Sequence, residues 1–427
     1  MLNLALVGSQ KKGASFYKLF EEKRSLLENL AGSKLNVKYI LFNENENQTN
    51  DLNLDPEKTI KNFNKILLDP RVDIIVELSG NEDEALEHII ASLKKSKSII
   101  TDNKKVIAEN YLEIMQLSRD YNTKLYFSAC FAPLPVNILI DDFFALDKIT
   151  EVNAILNATT NYILSVMEKN TISMKETIEE AKDLSYTEEN TDIDLEGLDS
   201  LYKISIIADL IYDVSIDFTE INYKGIKGIT SYDIIYAAEL GYKIKLLASI
   251  NKKDNDIFIG VRPNLIERDQ YLAEVDGNAN TVEFISELNG KSSFKANNSS
   301  YSTANLLNRD LLKAAKFIQK DNNQIKSISK EIKTSKALDL YHRIKRSFYI
   351  RLQIEKDDKI IQEIRDLFTE KDLADLVLHD NLTETPLLPV IIITKKIEEK
   401  RLESLLEKIE DLPGVLTVNN IIPIKVD

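Results

Sequence analysis

The first 130 residues alternate apolar strand-like runs with helical segments, and this alternation restricts the fold more than any other feature of the chain. Strands are expected over 2–7, 37–42, 72–78, 98–101 and 124–127, with helices over 15–30, 84–96 and 109–120 between them. The first helix is read from its period: Phe16, Leu19, Phe20, Leu26, Leu27 and Leu30 gather toward one face. Strands joined through helices of roughly ten to fifteen residues need crossover connections, which make neighbouring strands parallel. The expectation is an α/β chain that opens with a Rossmann-like, doubly wound parallel sheet over residues 1–130.

Residues 131–317 change character. Strands over 149–156, 242–250, 257–264, 281–288 and 291–295 mix with helices over 162–169, 174–184, 198–212 and 302–317, an α+β substrate or dimerisation domain. Residues 318–345 are polar and lysine-rich, a linker by composition. The tail, 346–427, reads strand, helix, strand, strand, helix, strand, the order of a ferredoxin-like unit.

Composition removes several function classes. The formal charge of −14 repels phosphate backbones, so no nucleic-acid partner is expected. No stretch approaches the ~18 apolar residues that suggest a membrane helix, and residues 1–8 read as a strand and not a signal peptide. One cysteine, Cys130, excludes an internal disulfide, fits a reducing cytoplasm, and is expected as a buried small hydrophobe. His88, His342 and His379 lie far apart, so no His/Cys metal cluster is expected.

Chemistry concentrates between Leu156 and Lys203. The span opens with Asn157-Ala158-Thr159-Thr160-Asn161, continues through Glu188, and closes with Asp194, Glu196, Gly197, Asp199 and Lys203. Asp199 and Lys203 lie four apart and share one helix face. As a plain surface pair they contribute about 0.3 kcal/mol; with amides and further carboxylates beside them they suit a zwitterionic substrate and a proton transfer.

These motifs resemble the homoserine dehydrogenase family, in the same order along nearly the whole chain. Gly8-Ser9-Gln10-Lys11-Lys12-Gly13 stands where the family has a Gly-x-Gly-x-x-Gly fingerprint. Glu77-Leu78-Ser79-Gly80-Asn81 matches a loop after a Rossmann strand, and Thr101-Asp102-Asn103-Lys104 resembles Thr-Ala-Asn-Lys. Asn157 to Asn161 matches Asn-Gly-Thr-Thr-Asn, and Leu184-Ser185-Tyr186-Thr187-Glu188 resembles Leu-Gly-Tyr-Ala-Glu. The resemblance implies interconversion of homoserine and aspartate 4-semialdehyde with NAD or NADP. It implies Lys203 as proton donor or acceptor, Asp199 orienting it, and Lys104 as a second cation near the reacting carbon. It implies Glu188, Asp194, Asn157, Thr159 and Thr160 as substrate-binding groups, and Gly8, Gln10, Gly13, Gly80 and Asn103 on the cofactor side. It further implies a monovalent cation held by backbone carbonyls near residues 127–135, a homodimer or homotetramer, and an ACT-type tail that takes an amino-acid effector.

The chain also departs from the family, chiefly at glycines. It holds only 12, under half the usual ~7%. Gln10 replaces the fingerprint's second glycine; Lys11 and Lys12 offer compensating charge or are solvated surface lysines. Ser128 replaces a glutamate, and Ala132, Pro133 and Leu134 replace a glycine-rich loop. Ala158 replaces a glycine, residues 295–302 lack a glycine-rich stretch, and Asp357-Asp358 replaces an effector-binding turn. These changes define the alternative: a non-catalytic homologue with weak or absent dinucleotide binding, acting as an amino-acid-binding or subunit-interaction protein.

Overall fold

Strand β1 (Leu2–Gly8) is buried on both faces, as a central strand of a parallel sheet must be. The computed structural model describes residues 1–8, 10–42, 56–183, 191–219, 221–320, 333–340, 345–379 and 387–425. Two units are distinguished: Met1–Asp147, Ser205–Asp217 and Ala296–Lys336 form the first; Lys148–Ile204, Phe218–Lys295 and Ala337–Asp427 form the second.

In the first unit, β2 (Leu35–Phe42), β3 (Ile74–Leu78), β4 (Ser98–Thr101) and β5 (Leu125–Tyr126) join β1 in the order β2-β1-β3-β4-β5, every pairing parallel. The Rossmann-like parallel sheet is as expected. Helices α1 (Gln10–Ala31), α2 (Phe63–Leu68), α3 (Glu82–Leu93) and α4 (Lys104–Asp120) connect the strands, and a short α5 (Val136–Ile138) follows. The core joins Leu4 and Leu6 of β1 and Phe16 and Phe20 of α1 to Leu307 and Leu311 of α11 (Ser302–Lys320). Sequence order alone does not reveal that this distant helix completes the first unit.

Two helices begin earlier than their periodicity suggests. Helix α1 starts at Gln10, not near residue 15, and so contains Gly13. A Cβ at Gly13 would lie 2.6 Å from the Phe42 ring, so the glycine lets the helix close on β2 at a propensity cost of about 1 kcal/mol. Helix α4 starts at Lys104 because Asn103 caps it, its side chain accepting from the Val106 N–H at 3.2 Å. Cys130 is buried in the turn Ser128–Phe131, as expected. The Ser128 N–H donates to Asp310 Oδ2 at 2.8 Å.

The second unit carries a mixed sheet. β6 (Ile149–Ile155), β8 (Tyr242–Lys253), β9 (Asp256–Glu267) and β10 (Ala279–Ser286) run antiparallel, with β11 (Gly290–Asn297) beside β10. Around them lie α6 (Ala158–Asn170), α7 (Met174–Asp183), α8 (Asp192–Glu196), the start of α9 (Leu198–Tyr212) and α10 (Ser231–Glu239). The stretch expected as a linker holds strand β12 (Lys333–Asp339). Its first residues pair with β7 (Val214–Asp217) in the first unit; Ala337, Leu338 and Asp339 pair with β9 in the second.

In the tail, β13 (Ser347–Glu355), β14 (Leu373–Leu378), β15 (Leu387–Thr394) and β16 (Val415–Lys425) alternate with helices Asp358–Leu367 and Glu399–Glu410. Their order is β16-β13-β15-β14, all antiparallel. Strand β16 then pairs in parallel with β9 through Ile424 and Lys425, so the tail continues the second unit's sheet.

Two tests follow from this packing. Gly8 sits at φ +116°, and a Cβ there would lie 2.1 Å from the Ser79 amide nitrogen. Gly8→Ala is expected to cost about 3 kcal/mol or more in urea unfolding, whereas Gly80→Ala, in open space at φ +74°, costs about 1 kcal/mol. The second concerns Asp310, whose carboxyl burial pushes up to about 6 against the amide hydrogen bond from Ser128. Its folded value exceeds its unfolded value, so the proton stabilises the fold below pH ~4 and that contribution is lost as pH rises through ~6. Asp310→Asn keeps an acceptor for Ser128 and removes the buried charge. The variant is expected to match the parent near pH 4 and to exceed it by up to about 3 kcal/mol at pH 7.5 in denaturant melts.

Candidate active site

The site grows from the end of β6. After Ile155 the chain passes Leu156 and Asn157, and Asn157 caps α6 by accepting the Thr160 N–H at 2.8 Å. Its Nδ2 donates to Asp194 Oδ1 at 2.7 Å and to Asp199 Oδ2 at 2.9 Å. Asp194 lies on α8, which ends at Gly197 in the left-handed conformation (φ +87°); Asp199 lies in the first turn of α9. The glycine lets one helix turn sharply into the next and brings both carboxylates to one amide. Helix 158–170 was expected only from residue 162; the Asn157 cap explains its earlier start.

Lys203 lies one turn beyond Asp199. Its Nζ is 2.8 Å from Asp199 Oδ2 and donates to the Leu156 carbonyl at 2.8 Å. The ion pair is buried, with Asp199 2% and Lys203 8% exposed. The pair expected from the spacing is therefore a buried group with fixed partners and not a solvated surface bridge. Thr160 is fully buried and its Oγ1 donates to the Asn157 carbonyl at 3.2 Å; Thr159 is half-buried. The structure thus gathers Asn157, Thr160, Asp194, Asp199 and Lys203. Glu188 lies outside the described residues.

Reading the sequence missed two members of this neighbourhood. Asn280 Nδ2 donates to the same Leu156 carbonyl at 3.1 Å. Lys245, 1% exposed, donates to Asn161 Oδ1 at 3.1 Å, to the Val275 carbonyl at 2.6 Å and to Asp276 Oδ1 at 2.8 Å. Burial holds the Lys245 ammonium below its ordinary pKa, partly offset by Asp276. A signal existed for Lys245, since it interrupts the apolar run Ile244 to Ala248. A cavity of about 750 Å³ elsewhere in the unit is bordered by Glu168, Lys243, Arg268 and Asp276; Arg268 bonds Glu168 at 2.7 Å and Lys243 bonds Asp276 at 2.8 Å.

The remaining candidates belong to the first unit. Gly8, Gly80 and Asn103 stand at the carboxyl ends of β1, β3 and β4, and Gln10 opens α1. In the order β2-β1-β3 the loops after β1 and β3 flank the topological switch point, where open α/β sheets place ligands. The first turn of α1 carries Lys11 and no acidic residue, a donor set that fits a diphosphate. Lys12 is exposed, and its Nζ lies 2.7 Å from Asp102 Oδ2, so it is a surface lysine paired within the unit. Gly13 faces the Phe42 ring. Lys104 is the first residue of α4 and half-buried.

Family comparisons agree with these features. The family model for homoserine dehydrogenase matches residues 135–312, and the model for the homoserine dehydrogenase NAD binding domain matches residues 13–128. A homoserine dehydrogenase of Helicobacter pylori is 27% identical over 420 residues, 97% of each chain. One from Sulfurisphaera tokodaii is 30% identical over 289 residues, 67% of this chain and 90% of that one. A crystal structure of a homoserine dehydrogenase from Thiobacillus denitrificans has the same fold, with a TM-score of 0.86 at 22% identity over 99% of this chain and 98% of that one. These matches favour the dehydrogenase reading over the non-catalytic one. With both of its matched segments falling to one family, and a 30%-identical relative spanned over nine-tenths of its length, the chain belongs to the homoserine dehydrogenase family.

Proposed function

We propose that the chain interconverts homoserine and aspartate 4-semialdehyde with NAD or NADP. The observation that carries this reading is the buried Lys203–Asp199 pair, held by Asn157 and the Leu156 carbonyl, in a chain of this family. In the reducing direction the Lys203 ammonium donates a proton to the aldehyde oxygen; in the oxidising direction the amine takes the hydroxyl proton, directly or through water. Asp199 and the Leu156 carbonyl aim Nζ, and Asp199 also stabilises its positive charge. Asp194 and Glu188 receive the substrate ammonium and hydroxyl, Thr159 and Thr160 line that side, and Lys104 supplies a second cation. Nicotinamide, when bound, supplies or accepts the hydride. Gly8, Gln10, Gly80 and Asn103 are the first unit's candidates for holding the dinucleotide, with the α1 amides and Lys11 toward the diphosphate, while Gly13 serves by letting α1 close on Phe42.

The remaining organisation follows the same reading: a dinucleotide domain over 1–130, a substrate domain over 131–317, a connecting segment over 318–345 and an ACT-type tail over 346–427. The tail's βαββαβ order and its β16-β13-β15-β14 sheet support a ferredoxin-like unit. Asp357 bonds the Lys359 N–H at 2.9 Å, occupying an amide at the turn where an ACT-type effector carboxylate is expected. The enzyme is a cytoplasmic homodimer or homotetramer in this reading.

Lys203→Met is expected to lower kcat for homoserine oxidation about 10²- to 10⁴-fold, while NADPH fluorescence titration changes less than about twofold. Loss of cofactor binding in parallel would point to misfolding; full activity would remove Lys203 from the chemistry. Asn157→Ala removes a helix cap and the bridge between the carboxylates. It should lose about 1 kcal/mol in unfolding from the cap and, in steady-state assays, about tenfold or more in kcat/KM for homoserine.

A further inference from the structure

Asp194 is positioned from outside its own helix. Helix α8 is only five residues long, too short to hold its own geometry in water. What lies against it is the loop Lys224–Gly228. The Ile226 N–H donates to the Leu195 carbonyl at 2.8 Å. Gly225 sits so close that a Cβ would lie 1.9 Å from the Leu195 oxygen and 2.3 Å from the Glu196 carbonyl carbon. Lys227 spans Asp192 at 2.6 Å and Glu196 at 2.8 Å, the two ends of α8.

The loop is anchored in turn by the tail. Asn420 of β16 donates to the Gly228 carbonyl at 3.1 Å and to Asp233 Oδ2 at 3.2 Å, and accepts from Lys224 Nζ at 3.3 Å. Asp233 closes a capping box with Thr230 at the start of α10. It is fully buried and meets the Arg351 fork: Nε to Oδ1 at 2.7 Å and Nη2 to Oδ2 at 3.2 Å, with Nη2 also 3.2 Å from Thr230 Oγ1. Tyr349 O–H donates to the same Oδ1 at 3.4 Å. Removing one partner of such a buried pair leaves an uncompensated charge.

We propose that Gly225 and the Asp233–Arg351–Asn420 cluster are positioning residues for the substrate side of the site: the tail fixes the 224–228 loop, the loop fixes α8, and α8 sets Asp194 against Asn157. This rests on the homoserine reading for its substrate and on geometry alone for its linkage. The role is one of placement at a distance, with none of these side chains touching the reacting atoms.

The test uses the full chain with Gly225→Ala, Arg351→Met, Arg351→Lys and Asn420→Ala. Arg351→Met is expected to raise KM for homoserine about tenfold or more, with KM for NAD or NADP within about twofold, and Arg351→Lys to recover most of the loss. A general loss of structure would move both constants and would not be rescued by lysine. Backbone hydrogen exchange over residues 191–203 is expected to speed up in Gly225→Ala, Arg351→Met and Asn420→Ala, with exchange in the first unit unchanged. If Gly225→Ala fails to fold, the Arg351 and Asn420 variants carry the test. Unchanged exchange over 191–203 in the folded variants, or equal rises in both KM values, overturns the proposal. A parent protein that does not turn over homoserine overturns the substrate assignment instead, and the exchange measurement then decides the linkage by itself.

Discussion

One side-chain amide organises the chemistry of this chain. Asn157 offers an acceptor to the Thr160 N–H and both hydrogens of its Nδ2 to Asp194 and Asp199. Turned the other way, its oxygen would face two carboxylates, so the network admits one orientation. The helix cap and the carboxylate bridge are therefore a single fact: α6 begins where the site begins. Lys203 enters through Asp199, and Asn280 enters through the Leu156 carbonyl just before the amide. An aspartate at this position would match in size and could still cap α6, but it would crowd three carboxylates together where the amide now donates to two.

The chain's sparing use of glycine becomes intelligible against these contacts. Gly8 and Gly225 sit where backbone meets backbone, and Gly13 and Gly414 where backbone meets a packed side chain. Each faces protein atoms that cannot withdraw far. Glycine at these places permits the close approach of strands, the packing of helix on strand and the loop under α8. A side chain at any of these four positions would force its neighbours apart, so each glycine answers to packing inside the protein.

Much of this was legible in the sequence, and the parts that were not share a cause. The parallel sheet was legible because its strands are apolar on both faces and its connections are helical. Asp199 and Lys203 were legible because their spacing is that of a helix turn. Asn103 and Asn157 were read for their chemistry, but their capping role, which moves the helix starts to 104 and 158, depends on backbone geometry that a periodicity count ignores. Helix α10 went unread although Thr230 and Asp233 have capping-box spacing. Strand β12 went unread because lysines and serines fill it; its pairing comes from β7 and β9 and not from its own apolarity. Asn280 and the partners of Lys245 are long-range contacts, which no local pattern encodes.

The buried fork between Arg351 and Asp233 has a kinetic consequence. The two residues are 118 positions apart, and Asn420 reaches Asp233 across 187. Helix α9, by contrast, closes its Asp199–Lys203 pair within a single turn. During synthesis the lysine side of the site can therefore form long before the counter-ion of Asp233 exists. Until then that carboxylate must stay in water, because sealing it alone is too costly. Contacts of such long sequence separation close slowly. The loop beneath α8 is accordingly among the last parts of the second unit to settle, and a nascent chain carries its Asp199–Lys203 pair well before the support of α8 is complete.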